Sequence, residues 1–99
     1  MSVIVIIKVP GDVAKARATF AAQSDFLKQT SQRAQAAGAL HHKFAAGEGE
    51  IVVIDEWRSR EAFEQFFADP SIAQFMADAG ASGPPVVEFY EAFESAGDF

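Results

Sequence analysis

Ninety-nine residues, 49% hydrophobic and without cysteine, describe one soluble globular domain with a small core, and exclude disulfides, thiolate metal sites and a cysteine nucleophile. The net charge of −6 divides into +4 over residues 1–43 and −10 over residues 44–99, and the basic groups Lys15, Arg17, Lys28 and Arg33 are scattered, so nucleic acid is not an expected partner. The apolar run Val3–Ile7 is too short to span a bilayer and lacks signal-peptide flanks, so no membrane association and a cytoplasmic location are expected.

Val3–Val9 reads as a strand, apolar on both alternating faces apart from Lys8, so both faces should be buried. Pro10-Gly11 ends it. Asp12 then caps a helix in which Val13, Phe20, Leu27 and Ala34 recur every seven residues and which Gly38 stops. Unbroken from Asp12 to Ala37, that helix would be about 39 Å long, against about 23 Å for the strand. A break is therefore expected near Gln23-Ser24, with Ser24 capping the second piece and Asp25 in its first turn.

Leu40–Phe44 (LHHKF) and Ile51–Trp57 form a hairpin around Ala46-Gly-Glu-Gly-Glu50. With Glu48-Gly49 at the centre of the turn, the ladder pairs Phe44 with Val53, His42 with Asp55 and Leu40 with Trp57. Ser59 opens a helix carrying Phe63, Phe66 and Phe67. Asp69-Pro70 opens another, Pro70–Ala79, with Ile72, Phe75 and Met76 as apolar positions and Gly80 at its end. Val86–Phe93 is the final strand and residues 95–99 a short tail, leaving 1–94 as a single domain.

The order β-α-β-β-α-α-β predicts an α+β, ferredoxin-like fold: a four-stranded antiparallel sheet with helices on one face. Because the first strand is apolar on both faces, the other sheet face needs a cover, and a sheet-to-sheet homodimer supplies it. The run IVVIDEWRSREAFEQFFADPSIAQFM, Ile51–Met76, resembles the strand-helix-helix block of the antibiotic biosynthesis monooxygenase-like family of the dimeric α/β-barrel superfamily. In that family a tryptophan ends the strand and an S-x-E-A-F segment starts the helix. The resemblance implies the fold, the homodimer and activities that include cofactor-free oxygenation. It speaks against haem degradation, because a tryptophan and a histidine that surround the haem in those relatives align with Phe66 and Met76, and the first strand lacks their asparagine.

His42 and Asp55 are the foremost candidates for chemistry. The register sets them opposite each other on a face otherwise made of Leu40, Phe44, Ile51, Val53 and Trp57, where a carboxylate orients the imidazole as a general base toward a phenol or enol. The same pair could instead satisfy two polar groups in a structural role. His41 and Glu56 pair on the opposite face beside Lys43, and adjacent histidines on a strand cannot chelate one ion, so no metal is expected. Trp57 is a candidate for lining a substrate cavity, and Tyr90, the only tyrosine, for donating a proton to a substrate oxygen. Phe20, Phe66, Phe75 and Met76 are core residues that would line a site for a small hydrophobic ligand if a void remains between helices and sheet. These features favour a cofactor-independent monooxygenase-like enzyme for a small aromatic or enolisable compound, without cofactor. The alternative is a non-catalytic small-molecule-binding or structural homodimer.

Overall fold

The computed structural model describes residues 1–99 and runs β1 (Val3–Pro10), α1 (Val13–Ala22), α2 (Ser24–Ala37), β2 (Ala39–Gly47), β3 (Glu50–Trp57), α3 (Arg60–Phe67), α4 (Pro70–Asp78) and β4 (Val86–Glu91). The strands form one antiparallel sheet in the order β2-β3-β1-β4. Each helical pair therefore crosses between two parallel strands that are separated by a third, which is the split β-α-β topology expected from the order of elements. No helix is long and apolar enough to cross a membrane.

Local chemistry sets the helix boundaries. The side chains of Asp12, Ser59 and Asp69 accept from the backbone N–H groups of Lys15, Ala62 and Ser71 at 3.1, 3.1 and 2.9 Å, satisfying donors that have no partner within the helix. The break falls where length required it, but Ser24 is the first residue of α2 and not its cap. Gln23 holds that position with φ −113° and ψ 34°, and makes no side-chain capping bond. Gly38 ends α2 at φ 127°, a left-handed conformation that a side chain resists, with its N–H shared between Ala34 and Gln35 carbonyls. Another glycine governs the meeting of β1 with the end of α4. A Cβ on Gly11 would lie 2.4 Å from the Gly80 carbonyl oxygen, so this approach requires glycine.

The hairpin keeps the expected pairings of Phe44 with Val53, His42 with Asp55, and Gly47 with Glu50. Its far end differs. A bulge between Ala39 and His41 sets Ala39 opposite Trp57, and Leu40, expected there, is left 44% exposed. The slip lies beyond His41, so the faces of His42 and Asp55 are unaffected. β4 stops at Glu91, short of the expected Phe93, which is exposed.

Val5, Ile7, Val53, Trp57 and Phe63 form the core on the helix-covered face of the sheet. The other face presents Ile4, Ile6, Ile54, Val86 and Tyr90, with Ile54, Val86 and Tyr90 at 41%, 56% and 52% exposure. Around them stand Lys8 paired with Glu88 at 3.3 Å and His41 beside Glu56 at 3.9 Å. The two-sided apolar character of β1 thus corresponds to one packed face and one bare face.

The helical layer is tied by one ion pair, in which the Arg33 guanidinium of α2 donates to Asp69 Oδ2 at 2.9 Å. The Ser71 backbone N–H, and after it Arg33, hold the Asp69 carboxyl below its ordinary value of 3.8. A folded-state value below the unfolded one means that the contribution is complete above 3.8 and lost as pH falls through the lowered value. The stability difference between wild type and Arg33→Ala should accordingly be constant at higher pH and shrink only below 3.8, as followed by urea denaturation across an acid series.

Candidate functional site

Alternation along β2 and β3 turns His42, Phe44, Ile51, Val53, Asp55 and Trp57 toward the helices. All four helices face these residues without filling the space, leaving a cavity of about 350 Å³ between sheet and helices. Its walls include Ala16 and Phe20 from α1, Phe26, Leu27 and Ser31 from α2, Phe63 and Phe66 from α3, and Phe75 and Met76 from α4. Phe20 packs on Phe44 and Phe75 with ring centroids 4.6 and 5.4 Å apart, which fixes the aromatic wall. α2 has no fully buried residue, and its inner face borders the cavity, with Phe26 stacked on Phe75 at 5.2 Å and Ala34 against the core.

One polar constellation interrupts this lining. Asp55 is 6% exposed, and both carboxylate oxygens are occupied: His42 Nδ1 lies 2.6 Å from Oδ1, and the Trp57 indole N–H donates to Oδ2 at 3.1 Å. An ionised carboxylate only accepts, so Nδ1 carries the imidazole proton and Nε2 of the neutral ring is left as the acceptor. Trp57, itself 1% exposed, is wedged between Phe63 and Phe66 at 5.6 and 5.4 Å. The indole can hardly move, and through its N–H neither can the carboxylate. His42, with 38% of its side chain exposed and its ring edge-on to Phe44, sits where the cavity meets solvent.

His42, Asp55, Trp57, Phe20, Phe66, Phe75 and Met76, all singled out in the sequence, line this one cavity. Tyr90 does not. Its pairing with Ile4 sets it on the bare sheet face, where its hydroxyl donates to Glu88 Oε2 at 3.2 Å. Tyr90 therefore takes no part in this cavity. Thr30 and Ser31 of α2 also border the cavity, with the Thr30 hydroxyl accepting from Arg33 at 3.4 Å. They escaped the sequence reading because nothing in a polar helical segment marks them as lining residues. The Trp57–Asp55 bond escaped it too, although the two-residue spacing put both side chains on one face.

No family model and no curated protein matches the sequence. Solved structures do match by fold. The chain superposes on a monooxygenase from the ActVA-Orf6 gene of Streptomyces coelicolor, solved in complex with nanaomycin D, with TM-score 0.68 and 20% identity over 95% of this chain and 89% of that one. SnoaB, a cofactor-independent oxygenase from Streptomyces nogalater, gives TM-score 0.65 and 16% identity over 98% of each chain. Rv0793 from Mycobacterium tuberculosis gives TM-score 0.62 and 19% identity over 97% and 99%. The fold is thus the ferredoxin-like α+β fold of antibiotic biosynthesis monooxygenase-like proteins, as the block Ile51–Met76 implies.

Trp57→Phe preserves the aromatic packing but leaves Asp55 Oδ2 without its donor. A buried acceptor stripped of its partner costs about 1–3 kcal/mol, the destabilisation expected from equilibrium urea unfolding. A loss within experimental error would show that the indole N–H does not hold the carboxylate.

Proposed function

We propose that this protein is a cofactor-independent monooxygenase-like enzyme acting on a small aromatic or enolisable compound. The observation that carries this reading is a histidine held by a buried carboxylate at the border of an apolar cavity large enough for a ring compound. The fold likeness to oxygenases agrees with it but does not select the chemistry.

In the proposed reaction His42 Nε2 removes a proton from the substrate, and Asp55 keeps the ring oriented and stabilises the imidazolium. The resulting carbanion is electron-rich enough to react with dioxygen directly. Oxygen adds at the carbon to give a hydroperoxide, with His42 returning the proton to the distal oxygen. Elimination of water then leaves a carbonyl, so a methylene and one dioxygen become a carbonyl and one water. Phe20, Phe66, Phe75, Met76 and Trp57 hold the ring and exclude water from the carbanion. Removing the base by His42→Ala should lower oxygen uptake with a responsive quinol by about 10²–10⁴-fold while leaving the circular dichroism unchanged. Unaltered turnover in a folded variant would return the His42–Asp55 pair to a purely structural role.

The same proposal places a second copy of the chain against the bare sheet face. Ile4, Ile6, Ile54 and Val86 there form a patch that a two-fold sheet-to-sheet contact would bury. Light scattering at micromolar concentration should return twice the chain mass. A monomer mass would overturn the dimer without touching the cavity.

A further inference from the structure

Resting on the reading of the cavity as a substrate site, we infer that it selects uncharged ring compounds and rejects the same rings bearing a carboxylate. The ionisable side chains of the lining are Asp12, Lys28, His42 and Asp55. Asp12 and Lys28 are exposed and of opposite sign, and solvent screens them. No arginine reaches the wall. The interior charge is therefore that of the His42–Asp55 pair alone.

With Asp55 ionised, that pair carries one net negative charge when His42 is neutral and none when His42 is protonated. In neither state is a positive charge left over for a second anion. Both Asp55 oxygens are already occupied, so the carboxylate cannot turn away from an incoming one. A carboxylated substrate would shed its hydration to enter an aromatic lining, meet a fixed negative charge and find no counterion. A neutral ring meets no such cost. The substrate becomes an anion only when its proton passes to His42, so the net charge of site and substrate together is the same before and after the transfer. Charge appears inside the cavity as a matched pair, never as an import.

Trp57 is the only tryptophan and lines the cavity, so its emission reports occupancy. Fluorescence titration with methyl 2-naphthoate and with 2-naphthoate compares one ring system with and without a charge. The ester is expected to bind at least about tenfold tighter. Asp55→Asn should narrow that gap by strengthening 2-naphthoate while leaving the ester within about twofold of wild type, since it removes the fixed charge and keeps the shape. Ser31→Lys, which adds a cation to the wall and leaves Asp55 in place, should narrow it in the same direction if Asp55→Asn fails to fold. Equal affinity of acid and ester for the wild type would overturn the inference while the cavity stood as a binding site. A gap unmoved in a folded Asp55→Asn or Ser31→Lys would overturn it by removing charge as the cause. Failure of either naphthalene to alter Trp57 emission would overturn it together with the substrate-site reading.

Discussion

The arrangement of this protein depends on one carboxylate placed where carboxylates are costly. Asp55 lies on the inward face of β3 between Val53 and Trp57, 6% exposed, in a layer that is otherwise hydrocarbon and aromatic. A lone ionised group there would be expelled or neutralised. Two neighbours prevent this, one across the sheet and one along the strand, and each fixes one oxygen. Their constraints differ in kind. The indole is buried and rigid, so it sets the position of the carboxylate, whereas His42 is at the edge and takes its orientation from the carboxylate. Rigidity passes from the core outward to the one side chain that meets both cavity and solvent.

The cavity exists because the helical layer spans the sheet without packing flat on it. One unbroken helix would overrun the strand by several turns, and the break at Gln23 divides it into α1 and α2. α2 has no fully buried residue, yet Leu27, Ser31 and Ala34 line the cavity. The Arg33–Asp69 pair joins α2 to the start of α4 at the periphery, where an exposed ion pair adds orientation more than cohesion. Phe26 stacks on Phe75 at 5.2 Å and Ala34 packs against the core, so α2 is anchored at these points while Leu27 and Ser31 border the open volume.

How much of this was legible in the sequence can be argued residue by residue. The His42–Asp55 pairing was readable because Glu48-Gly49 make a two-residue turn, and strict alternation carries the register from Gly47 and Glu50 as far as His41 and Glu56. The bulge at Leu40 was not readable. Whether Ala39 or Leu40 opposes Trp57 is settled by the packing of an indole that is 1% exposed, and no local spacing encodes it. The face on which Tyr90 lies was not readable for a related reason. Its strand was evident, but its face depends on the alignment of β4 with β1, a contact made across the whole chain. The aromatic residues of the site were readable as core, and that they enclose a void is a property of helix placement that composition does not carry.

The cavity and the bare sheet face are separated by a single step of register. On β1, Val5, Ile7 and Val9 face the helices while Ile4, Ile6 and Lys8 face the bare side. On β3 the same step divides Val53, Asp55 and Trp57 from Val52, Ile54 and Glu56. A sheet only one backbone thick thus presents a polar dyad in an apolar cavity on one side and an apolar field with a charged fringe on the other. The two histidines express this division most directly. His42 is held by a buried aspartate and faces the cavity, whereas His41, one residue earlier, stands by the partly exposed Glu56 on the bare face. Any change that slips β2 by one residue would exchange them, so the register that places His42 in the cavity also decides which side chains the bare face presents.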